Sequence, residues 1–431
     1  LLMVTSVGTS NEALVQSLER IVGAGHVVTL PELEIDGLRP AALVRPGSCE
    51  EVAECLGSCN EKRAAVVPAG NMTWLEAGNP LSGADVIISM ERMHRVLDYS
   101  APDLTATLQA GASVREFNAL IAAETQWLPL DPPGVEAASI GGIVACASSG
   151  PLRFGFGTPR DYVIGLKLAH PDGKESKCGG KVVKNVAGYD LNKLYIGSFG
   201  TLAVITAVTV KLRPSPERMT TVALLADNDE SLFDLASRIL RSGLRPVSLT
   251  IINDRVAETA GVAGRQVSLV RFAGSESEVA YQVGATSEMT GSGSPSQRAD
   301  VESQRAWRII SDIDRLGTVA LKISVLPSNV REVYAACVSI QNSSVAADAG
   351  AGIVRVAFDS DDIESIDRLA TLRAVAEKAG GTTFLERAPL AVRKKVDSWS
   401  DPGAAGTLMK TIKRQFDPES ILNPGKLAGG I

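Results

Sequence analysis

Four stretches of this sequence combine glycine, serine and proline in a way that lets main chain approach a large, phosphate-bearing ligand closely. The first is Pro68-Ala-Gly-Asn-Met-Thr73, whose successive N–H groups can form an anion-binding nest without any lysine. The second joins Asp131-Pro-Pro-Gly134 to Ser139-Ile-Gly-Gly142. The third is Ala145-Cys-Ala-Ser-Ser-Gly150, leading into Arg153-Phe-Gly-Phe-Gly157. Side chains this small at so many neighbouring positions let a planar ring and its tail lie flat on the backbone, although a packed cluster of turns uses the same residues. The fourth stretch runs from Gly179-Gly-Lys181 through Gly188-Tyr-Asp-Leu191 to Ile196-Gly-Ser-Phe-Gly-Thr201 and Val204-Ile-Thr206.

Other chemistries fit poorly. Val22-Gly23-Ala24-Gly25-His26 imitates the start of a dinucleotide fingerprint, but Val28 holds the third glycine position and a helical pattern precedes it. Cys49, Cys55, Cys59, Cys146, Cys178 and Cys337 lack the spacing of zinc or iron–sulfur ligands, and read as free thiols. His26, His94 and His170 never pair at i, i+2 or i, i+4, so no metal site is expected.

The elements that must position these loops follow from composition and periodicity. At 431 residues and 45% hydrophobic side chains, the chain should hold two or three globular units. No run approaches the roughly 18 apolar residues of a membrane span, and residues 1–25 lack an export signal, so a cytoplasmic protein without a transmembrane segment is expected. Forty-three basic against forty-nine acidic residues give a net charge of -6 with no basic block, which argues against a nucleic-acid partner.

Helices are expected over 11–23, 48–60 and 113–124, with Ser48 as an N-cap, and strands over 41–46, 64–68, 86–89, 105–110, 163–169 and 202–212. Pro214 and Pro216 punctuate the chain. Beyond them come strand 221–226, helix 230–242, strands 247–252 and 267–272 and helix 275–287. Strand 318–325, helix 328–340, strand 352–357, helix 362–379 and strand 382–385 complete the region. Two ferredoxin-like halves produce that order, with the polar 291–298 segment as a flexible joint between them.

The Gly179–Thr206 run resembles the vanillyl-alcohol-oxidase, or PCMH, type of FAD-binding domain, whose members carry a similar G-Y-D-L and then I-G-S-x-G-T-L-x-V-I-T. Within that superfamily it is most similar to the smaller, FAD-binding subunits of bacterial glycolate oxidases. The likeness extends to Gly155–Tyr162, Lys181–Asp190 and Phe416–Lys426.

The resemblance implies an α+β protein. A PCMH-type domain of two α+β subdomains would occupy 1–216, a ferredoxin-like α+β cap 217–385, and a C-terminal segment, 386–431, would return to the first domain. It implies FAD, held non-covalently because none of the three histidines stands in the loops that attach it elsewhere. Pro68, Ala69, Gly70, Asn71, Met72 and Thr73 would match the diphosphate loop, with Asn71 and Met72 in place of glycines. Pro132 would lie near the ring, Ser139, Ile140, Gly141, Gly142, Ser149 and Gly150 along the pyrophosphate and ribityl, and Gly200, Val204, Ile205 and Asn423 would complete the site.

In relatives that oxidise 2-hydroxy acids, an H-A-G-D-G-N-L-H segment supplies metal-binding histidines. Asp348-Ala-Gly-Ala-Gly-Ile-Val-Arg355 resembles it here, so Asp348 and Arg355 stand where the imidazoles would be, and the metal and the obvious base are both lost. Arg308, Lys322, Arg355 and Arg387 are the cationic candidates for anchoring a carboxylate, against the alternative of ordinary interface salt bridges. Lys184 and Tyr189 are weaker candidates for proton transfer.

The implied function is that of an FAD-binding subunit in a glycolate-oxidase-like complex, beside a larger FAD-containing catalytic subunit and an iron–sulfur subunit, at the inner face of the membrane through those partners. It would oxidise a small 2-hydroxy acid by hydride transfer, or relay electrons. The alternative is a self-sufficient, metal-free FAD oxidoreductase of alcohols or hydroxy acids, and a scaffold with decayed FAD loops ranks last.

Overall fold

The computed structural model describes residues 5–29, 32–181, 189–226, 228–264, 266–290, 296–298, 300–360 and 362–431. The first helix, Thr5–Val22, starts earlier than its apolar period suggests and stops before Gly23, whose φ of 86° continues no right-handed helix. Ser48 caps the helix Cys49–Glu61 by accepting the Glu51 N–H.

Two small sheets build the first half. In one, the strands lie in the order Val27–Val28, Ala42–Val44, Val86–Ser89 and Val66–Ala69, with the last three mutually parallel. The other is antiparallel, ordered Val96–Ser100, Thr105–Gln109, Val204–Lys211, Val163–Ala169 and Glu175–Gly179. Val96–Ser100 is an edge strand with no fully buried residue, which is why alternation in the sequence does not reveal it. A shared core of aliphatic side chains, including Val66, Ile88, Leu108, Ile143 and Val208, lies between these sheets and their helices.

The second half is one eight-stranded antiparallel sheet. Strands Arg218–Leu225, Ser248–Ile252, Val267–Gly274 and Ser296–Arg298 form one βαββαβ unit. Val319–Ser324, Ser344–Asp348, Ile353–Phe358 and Thr382–Arg387 form the other. The two join edge to edge where Ser248–Ile252 pairs with Ser344–Asp348.

Four features differ from the expectations. Ser344–Asp348 is a strand that its Ala-rich composition hides, and Asp300–Ser311 is an unforeseen helix. Within the stretch read as a flexible joint, 291–295 lies outside the described residues, whereas Ser296–Arg298 pairs with Thr221–Ala223 at the sheet edge. The strand Thr382–Arg387 also runs past the boundary expected at 385. Among the described residues no helix is long and apolar enough to cross a membrane.

The pleat sorts side chains by parity. Leu321, Ile323, Val354, Val356 and Leu385 enter a core under helices Asp229–Arg241, Glu276–Thr290, Val330–Val338 and Asp362–Lys378. Lys322, Arg355, Phe384 and Glu386 therefore occupy the other face, which meets the first half of the chain. Register makes Lys322 the direct partner of both Arg355 and Phe384.

The last segment is tied back by a buried ion pair. Lys413 Nζ lies 2.6 Å from Asp417 and donates to the carbonyls of Thr201 and Leu422 at 2.8 Å, while Asp417 accepts the N–H groups of Ile421 and Leu422. Leu422 consequently bridges to Val66 in the first sheet. Removing one member of a buried pair strands the other, at a cost of about 3–5 kcal/mol. Lys413→Met should lose stability of that order in urea unfolding and release the C-terminal segment first on limited proteolysis. A loss below about 1 kcal/mol would show that the pair does not hold the segment.

Candidate functional site

The strand Val66–Ala69 carries Pro68 and Ala69 into the wall of a cavity, and the turn after it adds Gly70, Asn71, Met72 and Thr73. Gly70 abuts the cap of the helix Ile140–Cys146: a Cβ there would lie 2.0 Å from Ser139 Oγ, the same oxygen that accepts the Gly142 N–H. Ser139, Gly141 and Gly142 form the second wall, and Gly200, Val204 and Ile205 the third. Asn423 closes one end, its amide donating to the Phe199 carbonyl at 2.7 Å.

Pro132, Ile140, Ser149 and Gly150 are not in the cavity wall. Pro132 is buried and Ile140 lies in the hydrophobic core. Gly150 is a glycine because a Cβ would fall 2.0 Å from the Asp131 carbonyl, and Ser149 offers its own carbonyl to Arg355 at 2.8 Å. Ser149 thus serves the contact with the large sheet, and Gly150 the packing on Asp131 within the first half.

The wall also contains Trp74, Cys146, Phe199 and Lys426, which the motif reading passes over. Lys426 was legible as the end of Asn423-Pro-Gly-Lys426, whereas Cys146 and Phe199 sit inconspicuously among small residues. Lys426 donates to the Leu75 carbonyl at 2.5 Å and lies 3.7 Å from Asp36. Burial draws its ammonium down to about 8, with Asp36 opposing.

Two buried oxygens in this wall, Thr73 Oγ1 and Asn423 Oδ1, have no hydrogen-bond partner in the protein, as expected where a polar ligand completes the site. The cavity itself is about 100 Å³, much less than FAD needs. Its Asn71–Leu75 wall is shared with a second cavity of about 1190 Å³ that runs along the large sheet. That loop therefore controls how much room the cofactor has. Trp74 stands over Gly142, 3.3 Å from where a Cβ would be, and Met72 holds a φ of 58°. The left-handed value explains why glycine suits the position and what methionine forfeits there.

Beyond the loop the sheet presents a layer of charge. Lys322 is half-buried, with Nζ 5.1 Å from the centre of the Phe384 ring and no ion pair among the described residues. Desolvation lowers its pKa; Glu386 opposes that, while Arg355 and Arg153 add to it. Arg355 is buried and lies 3.4 Å from Glu386. Arg153 comes from the facing half of the chain, Nη1 donating to Ser149 Oγ at 3.3 Å. Desolvation also pushes Asp131 up to about 7, against the N–H groups of Leu152 and Gly150, and Asp348 up to about 7, against the Ala351 N–H.

The halves meet closely around this layer. The Gly155 N–H donates to the Val247 carbonyl, and Gly350 leaves room for the Phe154 ring, which a Cβ would approach within 2.3 Å. Of the four cationic candidates, Lys322 and Arg355 join the layer. Arg308 instead pairs with Glu136 at 3.1 Å and Arg387 with Glu76 at 3.7 Å, both well exposed. Lys184 lies outside the described residues, and Tyr189 is 95% exposed.

Two protein-family models match this chain: FAD binding domain over residues 40–179, and FAD linked oxidases, C-terminal domain, over 215–427. The fold and cavity are thus those of a PCMH-type flavoprotein. The chain belongs to the FAD-linked oxidases, and is an FAD-dependent oxidoreductase of the glycolate oxidase and D-lactate dehydrogenase family. It is 27% identical over 427 residues to glycolate oxidase subunit GlcD of Bacillus subtilis, covering 90% of this chain and 89% of that protein. It is likewise 27% identical over 425 residues to D-2-hydroxyglutarate dehydrogenase of Xanthomonas citri pv. viticola, covering 90% and 89%. Among solved structures, p-cresol methylhydroxylase with substrate bound shares the fold at a TM-score of 0.78 and 15% identity, covering 97% of this chain and 96% of that one.

Relieving the left-handed strain at Met72 is worth about 1 kcal/mol to the folded state. Met72→Gly should therefore gain about that much stability in urea unfolding of the flavin-free protein. Unchanged or lower stability would show that this residue does not strain the loop.

Proposed function

We propose that this chain oxidises a small 2-hydroxy acid, as the FAD-binding subunit of a glycolate-oxidase-like complex in which a larger flavin subunit and an iron–sulfur subunit carry the electrons onward. Residues 1–216 with 386–431 form the flavin unit, and 217–385 the cap. The supporting observation is the convergence of Lys322 and Arg355 from the sheet with Arg153 from the facing half, Lys322 having no ion pair among the described residues. Clustered cations at a desolvated surface are costly unless an anion joins them, and a substrate carboxylate is such an anion.

FAD, when bound, supplies the two-electron acceptor. Pro68–Thr73, Ser139–Gly142, Gly200, Val204, Ile205 and Asn423 are the residues that would hold it, without a covalent bond. Lys322 and Arg355 orient the carboxylate, and Arg355 also fixes the Ser149 loop through its bond to that carbonyl. The packed contact of Phe154 on Gly350 and Gly155 on Val247 keeps water from that edge of the layer.

The purified, FAD-loaded chain should release its yellow colour to the supernatant on acid precipitation. Its flavin should bleach anaerobically with at least one of glycolate, D-lactate and D-2-hydroxyglutarate. Lys322→Met should raise the acid concentration needed by at least about tenfold, the loss of one charge-assisted hydrogen bond. A flavin that none of these acids reduces would favour electron relay beside a separate catalytic subunit, and a coloured pellet would mean a covalent bond.

A further inference from the structure

The 1190 Å³ cavity contains a carboxylate that the fold leaves idle. Asp314 lines it from the short helical turn Ile313–Arg315, which packs on strands Val319–Ser324 and Ile353–Phe358. Ile313 anchors that turn on the face of the sheet opposite the helix-covered core, the same face as Lys322, Arg355 and Glu386. Asp314 has no ion pair or hydrogen bond among the described residues, and its Oδ1 is buried without a partner. Buried carboxylates serving stability are normally paired or capped, as Asp417 and Asp131 are here.

Other acids around the layer are committed or sealed away. Asp131 accepts two N–H groups, and Asp348 adjoins an enclosed space of about 10 Å³, too small for a hydroxy acid. Glu386 is engaged by Arg355 at 3.4 Å. Asp314 combines this open cavity with a buried oxygen that has no partner among the described residues, and Arg355 lies near enough to act on its charge.

Resting on the hydroxy-acid reading above, we infer that Asp314 is the residue that takes the substrate's hydroxyl proton, the part played by an imidazole in metal-dependent relatives. The α-C–H bond breaks with its electron pair leaving as hydride to the FAD acceptor, the O–H bond breaks with its proton passing to the Asp314 carboxylate, and the carbon–oxygen bond becomes a carbonyl. Lys322 and Arg355 hold the substrate carboxylate meanwhile. The charged groups around Asp314 are Glu386, Arg355, Lys322 and Asp348 from the sheet, Asp312 and Arg315 from its own turn, Arg308 from the helix Asp300–Ser311, and Asp359 and Arg387 in the cavity wall. Desolvation pushes its carboxyl up to about 6, Glu386 adding and Arg355 opposing, so it is a free base at neutral pH and protonated below about 6.

The test is anaerobic stopped-flow reduction of the FAD-loaded protein by its best acid, from pH 5 to 8. The wild-type rate should rise with pH through about 6 and level off. Asp314→Asn should be at least about 100-fold slower and lose that rise, and Asp314→Glu should recover part of the rate. Oxalate, which has no α-hydrogen to give, should raise the melting temperature of flavin-free wild type and Asp314→Asn alike at pH 8, showing that the carboxylate site survives. If wild type bleaches while Asp314→Asn reacts within threefold, or keeps the pH rise, this inference alone is wrong. Loss of the oxalate shift in Asp314→Asn would also overturn it, by making Asp314 a binding residue. A wild type that no acid reduces overturns the hydroxy-acid reading and this inference with it.

Discussion

The wall of the candidate flavin cavity rests on one lysine, Lys413, buried 212 residues beyond one of the carbonyls it holds. Lys413 gathers the carbonyls of Thr201 and Leu422 and the carboxylate of Asp417 around one ammonium, so that three segments meet at a point. Without that knot, Leu422 would not bridge to Val66, and Asn423 and Lys426 would not reach the cavity wall. A second buried ionic group repeats the device: Arg393 lies 2.6 Å from Asp36, and Lys426 joins Asp36 to the loop carbonyl of Leu75. Both lysines lie within or beside the flavin wall. The closing of the fold and the charge of the site are therefore one arrangement.

The large sheet contributes through its pleat. A two-residue period that buries Leu321, Val354, Val356 and Leu385 beneath helices leaves Lys322, Arg355 and Glu386 no place but the opposite face. An exposed sheet face would let water screen them; here the 131–157 region covers them, and Arg355 finds the Ser149 carbonyl. Buried ion pairs seldom add stability over apolar packing. The retention of so many charges in one layer is better explained by a ligand than by the fold.

Much of this was legible in the sequence, for identifiable reasons. Gly70 and Gly141 announce a cavity because their backbones meet Ser139 and Ala110 at distances that exclude a side chain, and Gly142 sits tight under Trp74. The alternation that gives two βαββαβ units survives in residues such as Leu249 and Ile251, buried between Ser248 and Thr250. What stayed hidden was chiefly tertiary. Ser149 and Gly150 have the composition of cavity residues, yet Ser149 serves Arg355 of the facing sheet and Gly150 makes room for the Asp131 carbonyl. Arg308 and Arg387 have the chemistry of carboxylate ligands but sit where Glu136 and Glu76 meet them. Asp314 carries no motif at all, and its lack of a partner among the described residues is a property of space alone.

The two positions that resemble lost metal ligands show how a site can move within one sheet. Asp348 ends its strand against the turn that receives Phe154, its Oδ1 accepting the Ala351 N–H and its Oδ2 facing an enclosed space. Arg355 reaches across to Ser149. Arg355 thus ties the halves of the molecule together, while Asp348 faces a space too small for a substrate. The same face continues, through Lys322 and Glu386, to the open cavity beside the flavin loop, where polar groups are neither sealed nor fully paired. With an aspartate and an arginine at these positions, one end of the row is closed and the other stays open beside the flavin loop.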